Sequence, residues 1–349
     1  MTVPRGSRSS NLAAPALLAA VTLWTLWKVG PDTSPMLEYL EYVARTWPTS
    51  EVTEAGAYIL HSPLGLLVYR ALPFRGSGVL AAEHAIAIAL AYAAFGAWFC
   101  RELGVRRGLM ATSALVLAPV TAALLLWIGL YDAFTMLAWA AVLWTLRAPW
   151  PVRVAAGVLL GVQNSEQGLI GLVLVLLLRP LLPRAAAVPA PLAALAGCVV
   201  GKLVIEGYLA QAGAVSGSRL TYLLDWTLLE PSLSSTARLL PLVVWSGLGG
   251  LWCFVGLLPA PLRWTSALTM RLAAAAAIWL AAATVAHDHT RVLTLTAVPV
   301  VVLGLAEVMQ RFATVGELLR SWRFWVLLLA PPTVVWLGTV LPLGWKGLP

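Results

Sequence analysis

The chain has 349 residues, of which 60% are hydrophobic and 11% charged, and its mean hydropathy is +0.85. An ordinary soluble domain is about half apolar and about a quarter charged, so this excess excludes a soluble enzyme, a disordered chain and a nucleic-acid-binding domain. The net charge of +8 comes from 23 Lys and Arg against 15 Asp and Glu, and in a membrane chain such an excess marks the loops held in the cytoplasm. Cys100, Cys198 and Cys253 are too few for a disulfide scaffold and read as packing residues.

A membrane crossing needs about 20 mostly apolar residues. The first such stretch, 12–29, follows Arg5 and Arg8 but precedes no small-residue cleavage site, so it reads as a retained helix rather than a signal peptide. A long loop, 30–77, opens with Gly30-Pro31-Asp32. Within it, 34–47 puts Met36, Leu37, Leu40, Val43, Ala44 and Trp47 on one helical face and Glu38, Glu41 and Arg45 on the other. That pattern predicts an amphipathic helix lying on the membrane, begun at Ser34-Pro35, with Glu38, Glu41 and Arg45 wet. A second apolar stretch, 57–72, is broken at His61-Ser62-Pro63 and reads as another half-embedded helix.

Further segments are expected at 78–99, 109–128, 133–146, 153–163, 167–178, 187–207, 239–259, 272–286, 292–310 and 324–342, about eleven with the first. The fold class is therefore an all-α, polytopic helix bundle in one transmembrane domain over 1–349. Its first part, 12–184, carries the outer loop 30–77, and its second, 185–349, carries the outer loop 208–238. The pair 153–163 and 167–178 is too short for two upright crossings, and one helix from Arg153 to Arg179 also fits by length. A hairpin with Gln163, Asn164, Ser165 and Glu166 at its tip is preferred, because every basic cluster then falls on one side. The positive-inside rule makes that side cytoplasmic.

With this topology the acidic residues and all four histidines gather on the outer side. Asp132 lies in the short turn Gly129-Leu130-Tyr131-Asp132, and Glu166 at the hairpin tip. Arg219, Tyr222, Asp225, Trp226 and Glu230 lie in loop 208–238, and His287-Asp288-His289-Thr290-Arg291 fills a compact last loop. Glu83 and His84 begin a span near that surface. Lys202 and Glu206 stand one turn apart near the outer end of their helix and read as a salt bridge. Each group has a plainer reading: Asp32 and Asp132 can cap helices, Lys202–Glu206 can be structural, and Gly157-x-x-x-Gly161 is a packing contact. Four polar residues within the five at 287–291 are harder to dismiss as packing. His-x-His spacing alone is weak grounds for zinc.

The arrangement resembles the polytopic GT-C glycosyltransferases, which take sugars from polyprenyl-phosphate donors. The resemblance rests on Asp32 directly after the first span, the surface helix at 34–47, the His61-Ser62-Pro63 segment and Asp132 in the next short outer loop; it covers the first 180 residues best. Asp32 is followed by Thr33 where the family has a second acid, and the carboxyl-terminal half matches only as further spans.

The resemblance implies transfer of a sugar from a polyprenyl-phosphate carrier to a hydroxyl of a glycan, lipid or protein acceptor on the extracytoplasmic face. Asp32, Asp132 and Glu166 are the catalytic candidates. His61, Lys202, Arg219, His287, Asp288, His289 and Arg291 are the candidates for holding substrate and phosphate. Glycosyl transfer needs a base for the acceptor proton and positive charge on the departing phosphate. Arginine suits the phosphate best, and a divalent ion, Mg or Mn, is the alternative. No cofactor beyond that is implied, and the partners are the lipid-linked donor, the acceptor and membrane lipid, with no nucleic acid. Walker A, G-x-G-x-x-G, H-E-x-x-H and G-x-S-x-G motifs are missing from the sequence. A polymerase or ligase using lipid-linked glycans, a transporter or lipid flippase, and a non-catalytic assembly partner are the competing readings. The Ala, Leu, Gly and Arg-rich composition suggests a bacterial cytoplasmic membrane.

Overall fold

A computed structural model of the chain describes residues 9–48, 57–182, 191–214, 226–258, 265–284, 288–331, 333–336 and 339–341. The protein is an all-helical integral membrane bundle with one small β-hairpin. Among the described residues, six helical runs are long and apolar enough to cross a membrane, or eight if each of two bent pairs forms one crossing. The expected count of about eleven is not reached among the described residues: 109–128, 133–146, 239–259 and 324–342 are bent, short or broken, and 153–163 and 167–178 share one helical run. The bundle has a basic end, where most arginines lie, and an acidic end, where Asp32, Asp132 and Asp288 lie.

Helix α1 (Ser9–Val29) leads to the acidic end. There α2 (Leu37–Thr46), α3 (Ala57–Leu60) and α4 (Pro63–Ala71) form a cap. As expected, α2 buries Leu40, Val43 and Ala44. It also buries Glu41, which the sequence placed on the wet face. The reason is α4: the Tyr69 hydroxyl donates to Glu41 at 2.5 Å, and Arg45 pairs with the same carboxylate at 3.1 Å. Trp47 donates from its indole to Leu60 O and stacks on Tyr208 at 5.3 Å, which seats the cap on the bundle.

Helix α5 (Ser77–Leu103) returns to the basic end. The expected span 109–128 is two helices, α6 (Val105–Val116) and α7 (Pro119–Leu126), bent by 56°. Pro119 causes the break. A residue before proline avoids the helical region, and Ala118 sits at φ −68, ψ 151, while Pro119 itself suits a first helical position. Helix α8 (Asp132–Thr145) has only 14 residues and starts from a turn that Gly129 makes at φ 107.

Helix α9 (Trp150–Leu178) is one helical run with a single non-helical residue, Asn164, at φ −162, ψ 80. A straight helix would separate residues 160 and 168 by about 12 Å. Instead a Cβ on Gly168 would stand 2.9 Å from the Leu160 side chain, so the run folds back at Asn164. The next helix, α10 (Leu192–Gln211), confirms the reversal. Gly157 faces Ala194 and Gly161 faces Cys198, so α10 runs parallel to the first limb and both begin at the basic end. The contact is a reciprocal glycine seam. A Cβ on Gly157, Gly161, Gly197 or Gly201 would lie 2.1–2.3 Å from a facing carbonyl oxygen, closer than atoms allow.

Helix α11 (Trp226–Arg238) meets α12 (Leu240–Leu248) and α13 (Trp252–Val255), bending by 85° at the 238–240 break. Helices α14 (Ser266–Thr284) and α15 (His289–Val308) follow. The apolar window of α15 is 78% buried and that of α14 only 22%, so α15 is the central post and α14 faces lipid. After α16 (Val315–Arg320), the expected span 324–342 is instead α17 (Trp322–Leu329) and the antiparallel pair β1 (Val334–Trp336) and β2 (Thr339–Leu341), in register Val335↔Val340. Pro331 ends α17, for Ala330 is extended at φ −53, ψ 127. Lys28 satisfies the stranded carbonyls, donating to Leu328 O at 3.0 Å and to Ala330 O.

Candidate functional site

The acidic end brings together the starts of α4, α8 and α15 with the apex of α9. Asp32 enters first. Its amide donates to Leu125 O at 2.8 Å and its carbonyl accepts from Ile128 N at 3.0 Å, while Thr33 bridges Ile128 in parallel. This short extended pairing fixes the segment after α1 to the chain that leads into Asp132. Oδ1 of Asp32 accepts from the Thr33 amide at 2.7 Å.

Asp132 opens α8 and is buried. Its partner comes from the far end of the sequence: Arg291 Nε lies 3.4 Å from Asp132 Oδ2 and 3.1 Å from Asp288 Oδ2. Arg291 also donates from Nη2 to the Tyr131 hydroxyl at 3.1 Å, and its guanidinium sits 5.2 Å from that ring's centre. Asp288 caps α15 by accepting from the Arg291 amide at 3.3 Å. Burial pushes the Asp288 carboxyl above its ordinary value, and the Arg291 charge and amide pull it back down. The cluster therefore holds two carboxylates on one guanidinium, deep in the protein, where losing any member is costly.

The apex of α9 is built of amides. Gln163 accepts from Leu64 N at 3.0 Å and donates to Tyr131 O at 2.9 Å, clamping the start of α4 to the turn before α8. Asn164 donates to Gln167 Oε1 at 2.8 Å and to Thr135 Oγ1 at 3.4 Å. Both side chains are fully buried, which their place within an apolar run made the signal to notice. Beside them α5 presents Glu83 and His84, both buried. His84 Nδ1 bonds Leu80 O at 2.9 Å, and its ring stands edge-on to Phe134.

Glu166 belongs to a second cluster. Lys202 bridges it at 2.8 Å and Glu206 at 3.4 Å, so the expected Lys202–Glu206 pair is present and gains a third member across the fold. His289 is engaged on both nitrogens: Nδ1 donates to Ala283 O at 2.9 Å, which leaves Nε2 to accept from the Ser235 hydroxyl at 3.2 Å. Thr290 donates to Ser246 Oγ at 2.8 Å and accepts from Val335 N at 2.8 Å, tying the β-hairpin to the start of α15. His61 is half-buried in the turn between α3 and α4. Arg219 and His287 lie outside the described residues.

The three acids expected to act together thus divide. Asp132 belongs with Asp288 and Arg291, Glu166 with Lys202 and Glu206, and Asp32 sits on the segment after α1 that pairs with the chain leading into Asp132's turn. Tyr131 and Gln163 are the site residues that no sequence pattern assigned a role. Among the described residues no three His, Cys, Asp or Glu side chains converge as metal ligands. The two buried acids beside Tyr131 meet on a guanidinium, which already takes the place a cation would fill. Comparison of the chain with protein-family models, with curated proteins and with solved structures finds no match.

Proposed function

We propose that the protein is a membrane glycosyltransferase of GT-C type, moving a sugar from a polyprenyl-phosphate carrier to a hydroxyl acceptor at its acidic, extracytoplasmic end. The observation that carries the reading is the pairing of 32–34 with Leu125 and Ile128, which brings the acid after the first helix to the turn holding Asp132. The surface cap of α2 to α4 beside this point would receive the headgroup of a donor whose chain stays in lipid.

In this reading a carboxylate, Asp32, takes the acceptor proton. The acceptor oxygen bonds to the sugar's anomeric carbon, and the bond from that carbon to the phosphate oxygen breaks, its electrons leaving with the polyprenyl phosphate. Arg291 and Lys202 are each held by two carboxylates, so a phosphate would have to compete for them. Their part is to fix Asp132, Asp288 and Glu166, and Arg219 is the remaining basic candidate from the sequence for the departing phosphate. The test is turnover of a panel of radiolabelled polyprenyl-phosphate sugars by purified protein in lipid, with and without Mg or Mn. Wild-type transfer that falls at least 100-fold in a folded Asp32→Asn variant supports the reading, in line with loss of a general base. Transfer unchanged in that variant moves the base elsewhere.

A second reading has its own support. Two bent helix pairs and the buried apex at Asn164 are the kind of interrupted helices that line transport paths. A flippase for the same lipid-linked glycan would show no transfer with any donor, yet would move labelled carrier across a vesicle membrane.

A further inference from the structure

At the basic end, far from the acids, a cavity of about 500 Å³ opens between the start of α1, the turn from α5 into α6, and the segment after α15. Its lining divides by chemistry. Ala14, Pro15, Leu103 and Leu109 give an apolar wall, and Arg106 and Arg107 supply two guanidiniums. Neither arginine forms an ion pair among the described residues. Arg107 donates from Nε to Phe312 O at 3.2 Å, and Arg106 from Nη1 to Ala313 O at 3.5 Å. Backbone carbonyls orient the two forks but leave their charge uncancelled.

Of the nearby acids, Glu102 is paired with Arg101 at 3.3 Å and Arg147 at 2.9 Å. Glu317 accepts from the Ala313 amide at 2.8 Å and forms no ion pair with Arg106 or Arg107, so the two arginines still outnumber it at the cavity. Two adjacent positive charges thus face an open, partly apolar space at the basic end of the bundle. A guanidinium matches a phosphate's oxygens in pairs, and basic pockets between membrane helices favour anionic headgroups. We propose that this cavity binds the phosphodiester headgroup of an anionic phospholipid, with Arg106 and Arg107 on the phosphate and the glycerol and first acyl carbons against Ala14, Pro15, Leu103 and Leu109. The proposal is independent of the glycosyltransferase reading, since it uses none of the acidic-end residues.

Native mass spectrometry of the purified full chain with equal phosphatidylglycerol and phosphatidylcholine tests it. Wild type should retain phosphatidylglycerol preferentially, and the Arg106→Gln, Arg107→Gln double variant should lower its affinity by roughly 30-fold, from the two surface charges removed. The charge-matched Arg320→Gln, Arg323→Gln variant should leave retention unchanged. Equal loss in that control would reduce the effect to the general field of the basic end and overturn the site. Displacement by equimolar inorganic phosphate would assign the arginines to a free anion instead, and retention of both lipids alike would remove the headgroup. Pro15→Trp fills the mouth without altering charge and should also lose the lipid. It decides the matter if the double variant does not fold, for undiminished retention there would place the lipid elsewhere.

Discussion

Arg291 is the residue on which the acidic end turns. It pairs with both Asp132 and Asp288, and its planar fork also reaches Tyr131. Arg291→Gln should cost about 3–5 kcal/mol, because it leaves two buried carboxylates without their cation. Arg291→Lys should recover only part of this, since an ammonium cannot serve three partners in one plane. Thermal unfolding in detergent would measure both, and equal midpoints for wild type and Arg291→Gln would refute the pairing. A second residue prediction concerns pH. Burial, then the hydrogen bond to Glu41, raises the Tyr69 hydroxyl above its ordinary value of 10.0. Stability from the cap is then present below about pH 10 and is lost as pH rises through the higher folded value. Tyrosinate absorbance should lag in Tyr69 relative to a Tyr69→Phe difference spectrum; a titration with no late component would contradict the burial. The density of polar residues at 287–291 made Arg291 legible as a candidate. Its partner Asp132 lies far back in the chain beside Tyr131, itself 160 positions before Arg291, and no local pattern links the two. Glu41 was misplaced for the same reason: amphipathic periodicity describes one helix, while the helix that buries it is elsewhere.

At the scale of elements, the glycine seam between α9 and α10 is the tightest contact in the bundle. Gly161→Val would press a branched side chain into Cys198 O and force the helices apart, where a Cβ has only 2.1 Å. A loss of about 2 kcal/mol or more is expected, at the scale of overpacked cores, and a fluorescence-monitored melt that stays at the wild-type midpoint would show that the seam yields. Half of this seam could be read from Gly157 and Gly161, but the facing Gly197 and Gly201 could not be paired without the fold. The hairpin itself was legible because the arginines demanded it. The supposed span 324–342 misled because apolar length was counted across Pro331, where helix geometry stops and an extended chain continues. Pro119 had the same effect within 109–128.

For the whole molecule, the separation of a basic end from an acidic end is the broadest property, and it rests on α9 folding back. Single cysteines at Trp150 and Pro180, in a chain freed of its own three, should react with an impermeant thiol reagent from one side of a vesicle, and Gln211→Cys from the other. Reaction of positions 150 and 180 from opposite sides would require α9 to cross outright and would dismantle the topology.

The buried amides at the α9 apex carry a consequence for biosynthesis. Each limb is too short to enter a bilayer by itself, so the two must insert as a unit with Gln163 and Asn164 travelling at the leading edge. Those amides would strand in hydrocarbon unless hydrogen-bonding partners were waiting. They are: Leu64, Tyr131 and Thr135 all leave the ribosome earlier. The chain thus makes the receptor for its hairpin before the hairpin emerges, and moving α9 ahead of α8 by circular permutation would ask the membrane to accept those amides unpaired.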